Sequence, residues 1–395
     1  MSLLAVEEAQ ARLLALAAPL PIEQAGLVDA VGRRAAADVI ARRAQPAADL
    51  SAMDGYALRF AELPGPFTVV GESRAGAALA RALGPNEAAR IFTGAPLPPG
   101  ADTILVQEEA TRDGATLHLA GEGPPRHGAH VRYQGSDFLA RDLLIGTGER
   151  LTSACIALAA MGGHGTLPVR RRPRVRILST GDELVAPGEP TPGVMLPASN
   201  GPMLAALLAG VPAEVRDGGI LPDRLDALVA GFTAAAREAD VIVTTGGASV
   251  GDHDLVRPAL AQAGAALDFW RVRMRPGKPL MAGRLGDTIV LGLPGNPVSA
   301  FVTAWLFLLP LLAHLGGDPD PLPRPLRMPL GAPLPAVGTR TDYVRATITD
   351  GMAMPLGGQD SAALATLARA DALIVRTGAA PPAARGDPVE VHRIA

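Results

Sequence analysis

The sequence predicts a multidomain α/β protein: a central, doubly wound, mostly parallel sheet domain, with helical and β modules before it and a small β domain after it. Three observations carry this. The chain has 395 residues, more than one hydrophobic core usually organises. From Arg174 to about Leu315, strand-like and helix-like apolar patterns alternate, as βαβ units require. On either side lie short β-like pieces separated by Gly and Pro, the pattern of small β domains.

The elements follow in order. "LLAVEEAQARLLALAAP" (3–19) is amphipathic and predicts a helix over about 2–18. Its acidic start, with Glu7 and Glu8 and no basic residues before them, reads as a helix rather than a signal peptide. "PFTVVGE", "AARIFTG", "TILVQEEA" and "ATLHLA" predict strands of a small β domain over 46–140. A second helical pattern over 151–162 is expected to pair with the first, so that 1–45 and 141–172 form one helical or mixed N-terminal module with the β domain inserted in it. Residues 173–316 form the α/β domain: "VRILST", "AEVRDGGIL", "DVIVTTGG", "LDFWRVRM", "PLMAGRL" and "TIVLGLPG" read as strands. "NGPMLAALLAG", "DRLDALVAGFTAAAREA" and "DLVRPALAQAG" read as the helices between them. "PVSAFVTAWLFLLPLLAHLGG" approaches the length of a membrane span. Pro310 lies inside it, and it ends an α/β pattern without basic flanks, so a helix buried in the core or in a subunit interface is expected. "PLPRPLRMPLGAPLP" is a linker, and 317–395 reads as a C-terminal β domain ending in "DPVEVHRI".

Composition excludes several classes. The net charge of −3 offers no field for nucleic acid or an anionic membrane. The one cysteine, Cys155, excludes an internal disulfide and a cysteine-rich metal site; it reads as a buried small hydrophobe in a cytoplasmic protein. His127, His130, His164 and His253 lack zinc-ligand spacing.

Ligands of doubly wound sheets sit beyond the carboxyl ends of the strands, so the loops there should carry the chemistry. In "STGDEL", Ser179, Thr180 and Gly181 can receive a phosphate or a purine edge, and Asp182 and Glu183 can hold Mg²⁺; an N-cap with first-turn acids is the plainer reading. In "TTGGASVGDHD", Gly246 and Gly247 admit close backbone approach, Ser249 offers a hydroxyl, and Asp252 and Asp254 can share a cation. Alternation along "RVRMRPGKP" should put Arg271, Arg273 and Arg275 on one face, with Lys278 following, to neutralise an anion. "GLPGNPVSA" predicts an abrupt helix start with Asn296 as N-cap and Pro297 at the first helical position; Pro294 and Gly295 shape the turn, and the free N–H groups await an anion. "SAMDGYAL" offers Asp54 in an Asp-Gly turn. Physical chemistry alone therefore gives a phosphate-bearing, nucleotide-like ligand with Mg²⁺ and a second anion, and names no reaction.

Taken in order, "SAMDGYA", "TGAPLPPGADTILVQEE", "RYQGSDF", "ILSTGDEL", "SNGPML", "VTTGGASVGDHD", "RMRPGKP", "GLPGNPVSA" and "TRTDYVR" resemble the MoeA-type molybdopterin molybdenumtransferases and the gephyrin E domain, over roughly 45–361. The resemblance implies a MogA-like central domain, a homodimer whose cleft borrows residues from the partner subunit, and a place in molybdenum cofactor biosynthesis. It implies insertion of molybdate into adenylated molybdopterin with release of AMP, assisted by Mg²⁺. It assigns Glu183, Asp223 and Asp254 to the metal, and Asp54, Thr93 and Asp137 to further catalytic positions. Arg271, Arg275, Lys278, Arg340 and Ser361 are implied to face molybdate or phosphates, the arginines at 271 and 275 standing where relatives often carry lysine. Further implied partners are a molybdopterin adenylyltransferase and apo-molybdoenzymes or their chaperones. The alternatives are that the chain itself is a molybdopterin adenylyltransferase, with a similar "TTGG" loop, or a non-catalytic pterin-binding scaffold.

Overall fold

The computed structural model describes residues 3–247 and 255–394. The chain divides into two compact units: residues 1–23, 32–36 and 168–395 form the first, and 24–31 and 37–167 the second.

The first unit is built on six strands: β1 (Arg174–Thr180), β2 (Glu214–Leu221), β3 (Val241–Thr245), β4 (Ala266–Trp270), β5 (Met281–Leu285) and β6 (Thr288–Leu293). Their order across the sheet is β2-β1-β3-β6-β5-β4. The pairs β1–β2, β1–β3 and β3–β6 are parallel, and β5–β6 and β4–β5 are antiparallel. Side chains alternate along each strand, so both faces need cover. Val175 and Ile177 of β1 and Val241 and Val243 of β3 pack with Leu204 and Leu208 of the helix Asn200–Leu208. Leu178, Ile242 and Val290 face the other way, onto Leu228 and Phe232 of the helix Leu225–Glu238 and Leu260 of the helix Val256–Gln262. Each fully buried Leu, Ile or Phe contributes on the order of 1.5–3 kcal/mol, and these two layers hold the sheet's carboxyl edge in place.

The apolar segment after β6 runs as the helix Pro297–Thr303, a π-helical turn Ala304–Leu308 and the helix Leu309–Leu315. It is long and apolar enough to cross a membrane, yet 72% of it is buried inside the fold. Pro310 has no N–H to offer the Leu306 carbonyl four residues back. That carbonyl accepts a hydrogen bond from Gln10 Nε2 at 2.9 Å, and Gln10 is itself buried. The first helix, Val6–Ala15, therefore docks here, its Val6, Ala9 and Leu13 joining the same core as Leu311 and Leu315. The second N-terminal helical pattern forms the helix Ser153–Met161, which belongs to the other unit. That second helix is apolar all round, but only Ala159 is buried, and Cys155 is half-buried rather than in a core.

The rest of the first unit is a β sheet in the order Met274–Arg275, Thr341–Thr349, Ala372–Arg376, Pro388–Arg393, Leu326–Pro329, with Met352–Pro355 paired to Thr341–Thr349. The second unit holds a six-stranded sheet in the order Thr103–Val106, Gly55–Leu58, Glu87–Ile91, Phe67–Ser73, Thr116–Leu119, Ala110–Asp113. Tyr56, Leu58, Phe67, Leu105 and Leu117 pack on one of its faces.

Candidate active site

In-register pairing aligns the carboxyl ends of three parallel strands: Ser179 stands beside Thr245, and Thr245 beside Leu293. The loops that follow open into a cavity of about 1270 Å³. Its walls come from three stretches at the sheet edge, 179–181 with 183–184, 245–247, and 294–297 with Ser299, and from 196–200, Asp223, 275–279, Arg340 and 359–362. Thr245 Oγ1 donates to Ser179 Oγ at 3.4 Å and Thr180 Oγ1 to the Thr245 carbonyl at 3.4 Å, tying two strand ends together. Gly246 has φ +92°, and a Cβ there would lie 2.5 Å from the Thr180 carbonyl oxygen, so only glycine fits this turn.

Ser179, Thr180, Gly181, Glu183, Asp223, Gly246, Gly247, Arg275, Lys278, Pro294, Gly295, Asn296, Arg340 and Ser361 all line the cavity. Ser249, Asp252 and Asp254 lie outside the described residues. Asp54, Thr93 and Asp137 belong to the second unit. There Thr93 donates to Asp54 Oδ1 twice, from its backbone N at 2.7 Å and its Oγ1 at 2.9 Å. These bonds, the backbone one first, hold the Asp54 carboxyl below the usual carboxylate range. Asp137 is exposed, its backbone N bonded to the Gln45 carbonyl at 3.0 Å.

The cavity's acids are arranged in the opposite sense. The Asp223 backbone N donates to Asp182 Oδ1 at 2.9 Å. Partial burial, then the nearby Asp182 and Glu183 carboxylates, push the Asp223 carboxyl above its ordinary value. Among the described residues no three carboxylate, His or Cys side chains make a preformed metal cage.

Strand pairing also sets the cations. Met274 and Arg275 pair in parallel with Thr341 and Asp342, which brings Arg275 and Arg340 to one wall. Arg275 Nε lies 3.8 Å from Asp342 Oδ1. The expectation that Arg271, Arg273 and Arg275 share a face is corrected. The strand ends at Trp270, and Arg271 takes φ +88°, so the alternation stops there. The Arg271 guanidinium stacks over the Trp270 ring at 4.1 Å, Arg273 donates to the Leu3 carbonyl at 3.2 Å, and of the three only Arg275 lines the cavity.

The helix start after β6 also differs in detail from expectation. Asn296 occupies the N-cap position, but its side chain makes no cap bond. Instead Asn296 Nδ2 donates to Ser361 Oγ at 2.9 Å, and the Val298 N–H donates to the Ser361 carbonyl at 3.2 Å. One of the free N–H groups expected to await an anion is thus taken by the C-terminal β sheet's own loop.

Sequence reasoning missed Ser199, Asn200, Gln359 and Asp360, which also line the cavity. The Ser-Asn pair before an apolar helical run was a legible signal; Asn200 Nδ2 donates to the Gly295 carbonyl at 2.7 Å and so buttresses the Pro294–Asn296 turn.

Comparison with known proteins agrees along the chain. The model of the MoeA N-terminal region (domain I and II) matches residues 4–163. That of a probable molybdopterin binding domain matches 176–314, and that of the MoeA C-terminal region (domain IV) matches 327–394. The molybdopterin molybdenumtransferase of Haemophilus influenzae is 36% identical over 321 residues, 80% of this chain and 78% of that protein. That of Bacillus subtilis is 31% identical over 369 residues, 90% of this chain and 86% of that one. The crystal structure of the molybdopterin biosynthesis MoeA protein from Pyrococcus horikoshii superposes with a TM-score of 0.85 at 27% identity, covering 100% of both chains. With three family models spanning 4–163, 176–314 and 327–394 and relatives 36% and 31% identical over 80% and 90% of its length, the chain belongs to the MoeA family of molybdopterin molybdenumtransferases.

Proposed function

We propose that this chain is a transferase of molybdenum cofactor biosynthesis that inserts molybdenum from molybdate into molybdopterin, and that the pterin arrives as its adenylate and leaves AMP behind. The observation that carries the reading is one cavity with two kinds of charge. Arg275, Lys278 and Arg340 line it beside Glu183 and Asp223. A tetrahedral dianion suits the first group; a cation bridging to phosphate oxygens suits the second.

The donor set fits molybdenum as a substrate rather than a resident metal. No cysteine lines the cavity, and the soft ligands for molybdenum come from the substrate's own dithiolene sulfurs. The protein's part is then orientation and charge: Arg275, Lys278 and Arg340 hold the oxyanion, and the Ser179–Gly181 and Thr245–Gly247 turns bring hydroxyls and bare backbone to the adenylate.

Glu183 and Asp223 also fit Mg²⁺. Two carboxylates without a complete cage suit an ion that keeps several waters and takes substrate phosphate oxygens, and the raised Asp223 carboxyl is what a site awaiting positive charge should have. When bound, Mg²⁺ would neutralise charge on the phosphoanhydride being cleaved. Asp254, outside the described residues, is proposed as the third acid on the sequence resemblance alone.

Asp54, Thr93 and Asp137 are proposed to act in a homodimer, where one subunit's second unit completes its partner's cleft. The helix Ser153–Met161, apolar but with one buried residue, supports such an interface. The unpaired Cys155 suits the cytoplasm. Passage of cofactor from an adenylyltransferase and on to apo-molybdoenzymes follows from the same reading.

The test is to incubate the protein with adenylated molybdopterin, Mg²⁺ and molybdate, and to follow AMP together with reconstitution of an apo-molybdoenzyme. Molybdate-dependent release and reconstitution, lost in Glu183→Gln, is expected. Consumption of ATP with free molybdopterin and no reconstitution would replace this reading with adenylyl transfer.

A further inference from the structure

The C-terminal sheet carries a buried cation without a direct carboxylate bond. Arg345, central in the strand Thr341–Thr349, is 1% exposed. Its guanidinium spends its donors on one irregular loop. Nε donates to Gln359 Oε1 at 3.3 Å, Nη1 to the carbonyls of Asp360 at 2.9 Å and Ala363 at 3.5 Å, and Nη2 to the carbonyl of Gly358 at 3.1 Å. Gln359 answers from the loop, its Nε2 donating to the carbonyls of Arg345 at 2.9 Å and Leu356 at 2.7 Å. Burying a guanidinium costs several kcal/mol unless its donors are met, so a sequence needing only a closed loop would do better with an apolar residue here. Arg345 does not line the cavity. The loop it gathers does, through Gln359, Asp360, Ser361 and Ala362. Ser361 is the residue bonded both to Asn296 Nδ2 and to the Val298 N–H at the start of the helix after β6.

We propose that Arg345 is a positioning residue for the reaction: its planar fork fixes the 358–363 loop so that Ser361 meets Asn296 and Val298 and closes the oxyanion side of the cavity. The inference rests on the proposed function for the identity of the anion, and not for the geometry of the clamp. Four hydrogen bonds from one rigid guanidinium converge on acceptors that a lysine ammonium cannot reach together, so Arg345→Lys retains the charge and loses the clamp.

The test uses the full chain and sodium molybdate. In Arg345→Lys, hydrogen exchange of the 358–363 amides is expected to quicken about tenfold or more while exchange in β1 and β3 stays unchanged. The Kd for molybdate by calorimetric titration, and KM for molybdate, are expected to rise about tenfold, with kcat at saturating molybdate within about threefold of wild type. Ser361→Ala alone should weaken molybdate, and adding Arg345→Lys to it should change the Kd no further, because the arginine acts through that residue. Gln359→Ala, which loosens the loop from its own side, should copy Arg345→Lys if the lysine variant folds poorly. Unchanged loop exchange, additive effects of the two substitutions, or a loss of kcat at constant KM would overturn the proposal. A wild-type chain that binds no molybdate would instead overturn the anion assignment, and the loop-exchange comparison would still decide whether Arg345 clamps the wall.

Discussion

Asp54 and Asp223 are both implicated acids, and their surroundings differ in kind. Asp54 receives two hydrogen bonds from Thr93, and its carboxyl is held low. Asp223 shares its neighbourhood with Asp182 and Glu183, and its carboxyl is pushed up. The first is an anion whose charge the protein itself satisfies; the second is crowded by like charges, which is the surrounding that the proposed cation would relieve. The proposed cation site is thus marked by what its carboxylates lack rather than by a preformed cage.

That contrast can be broken most sharply at Asp223. Asp223→Asn is expected to cut AMP release at least about 100-fold. It should also raise the melting temperature measured by calorimetry without Mg²⁺, because it removes a charge the fold holds at a cost. The linkage sign agrees: a carboxyl raised in the folded state makes wild-type stability fall as pH climbs from the unfolded value near 4 through the folded one. A lower melting point in Asp223→Asn would mean that the acids are not crowded.

A smaller effect is expected at Gly181, whose added Cβ would lie 2.4 Å from Glu183 Oε2. Gly181→Ala should displace Glu183 and weaken Mg²⁺ dependence about tenfold, read from the Mg²⁺ concentration at half-maximal AMP release. Asn296→Ala removes one neutral hydrogen bond on the oxyanion side. It should weaken molybdate about three- to tenfold, leave Mg²⁺ dependence alone, and barely move the melting temperature, since the side chain makes no cap bond.

The smallest change is expected at Thr93→Val, which keeps the backbone bond to Asp54 and loses the hydroxyl one. The Asp54 carboxyl should then titrate higher. A lowered carboxyl contributes stability above the unfolded pKa that is lost as pH falls through the folded value, so the acid midpoint of the second unit should move up slightly, followed by hydrogen exchange in the strands Gly55–Leu58 and Glu87–Ile91.

The cavity was legible because strand-end loops of a doubly wound sheet announce themselves through small and turn-forming residues, as in "STGDEL", "TTGG" and "GLPGNP". What stayed hidden depended on partners far along the chain. Arg345 reads as one more residue of a β pattern until the loop carbonyls about fifteen positions later are in place. Asn296 reads as a cap until Ser361 claims its amide. Arg271 alternates on paper and breaks the strand in fact. The antiparallel turn of β5 into β6 left a short signal, Gly286-Asp287 with Gly286 at φ +59°, the two-residue hairpin that a parallel reading passes over.

The most direct measurement is the rate of AMP release from adenylated molybdopterin as a function of Mg²⁺ concentration, with and without molybdate, for wild type and Asp223→Asn. The expected result is release that needs both ions in the wild type and is lost in the variant at every Mg²⁺ concentration. Release that ignores Mg²⁺, or a variant as fast as wild type, would contradict the proposal that the strand-end cavity is the molybdenum insertion site and is completed by a cation at Glu183 and Asp223.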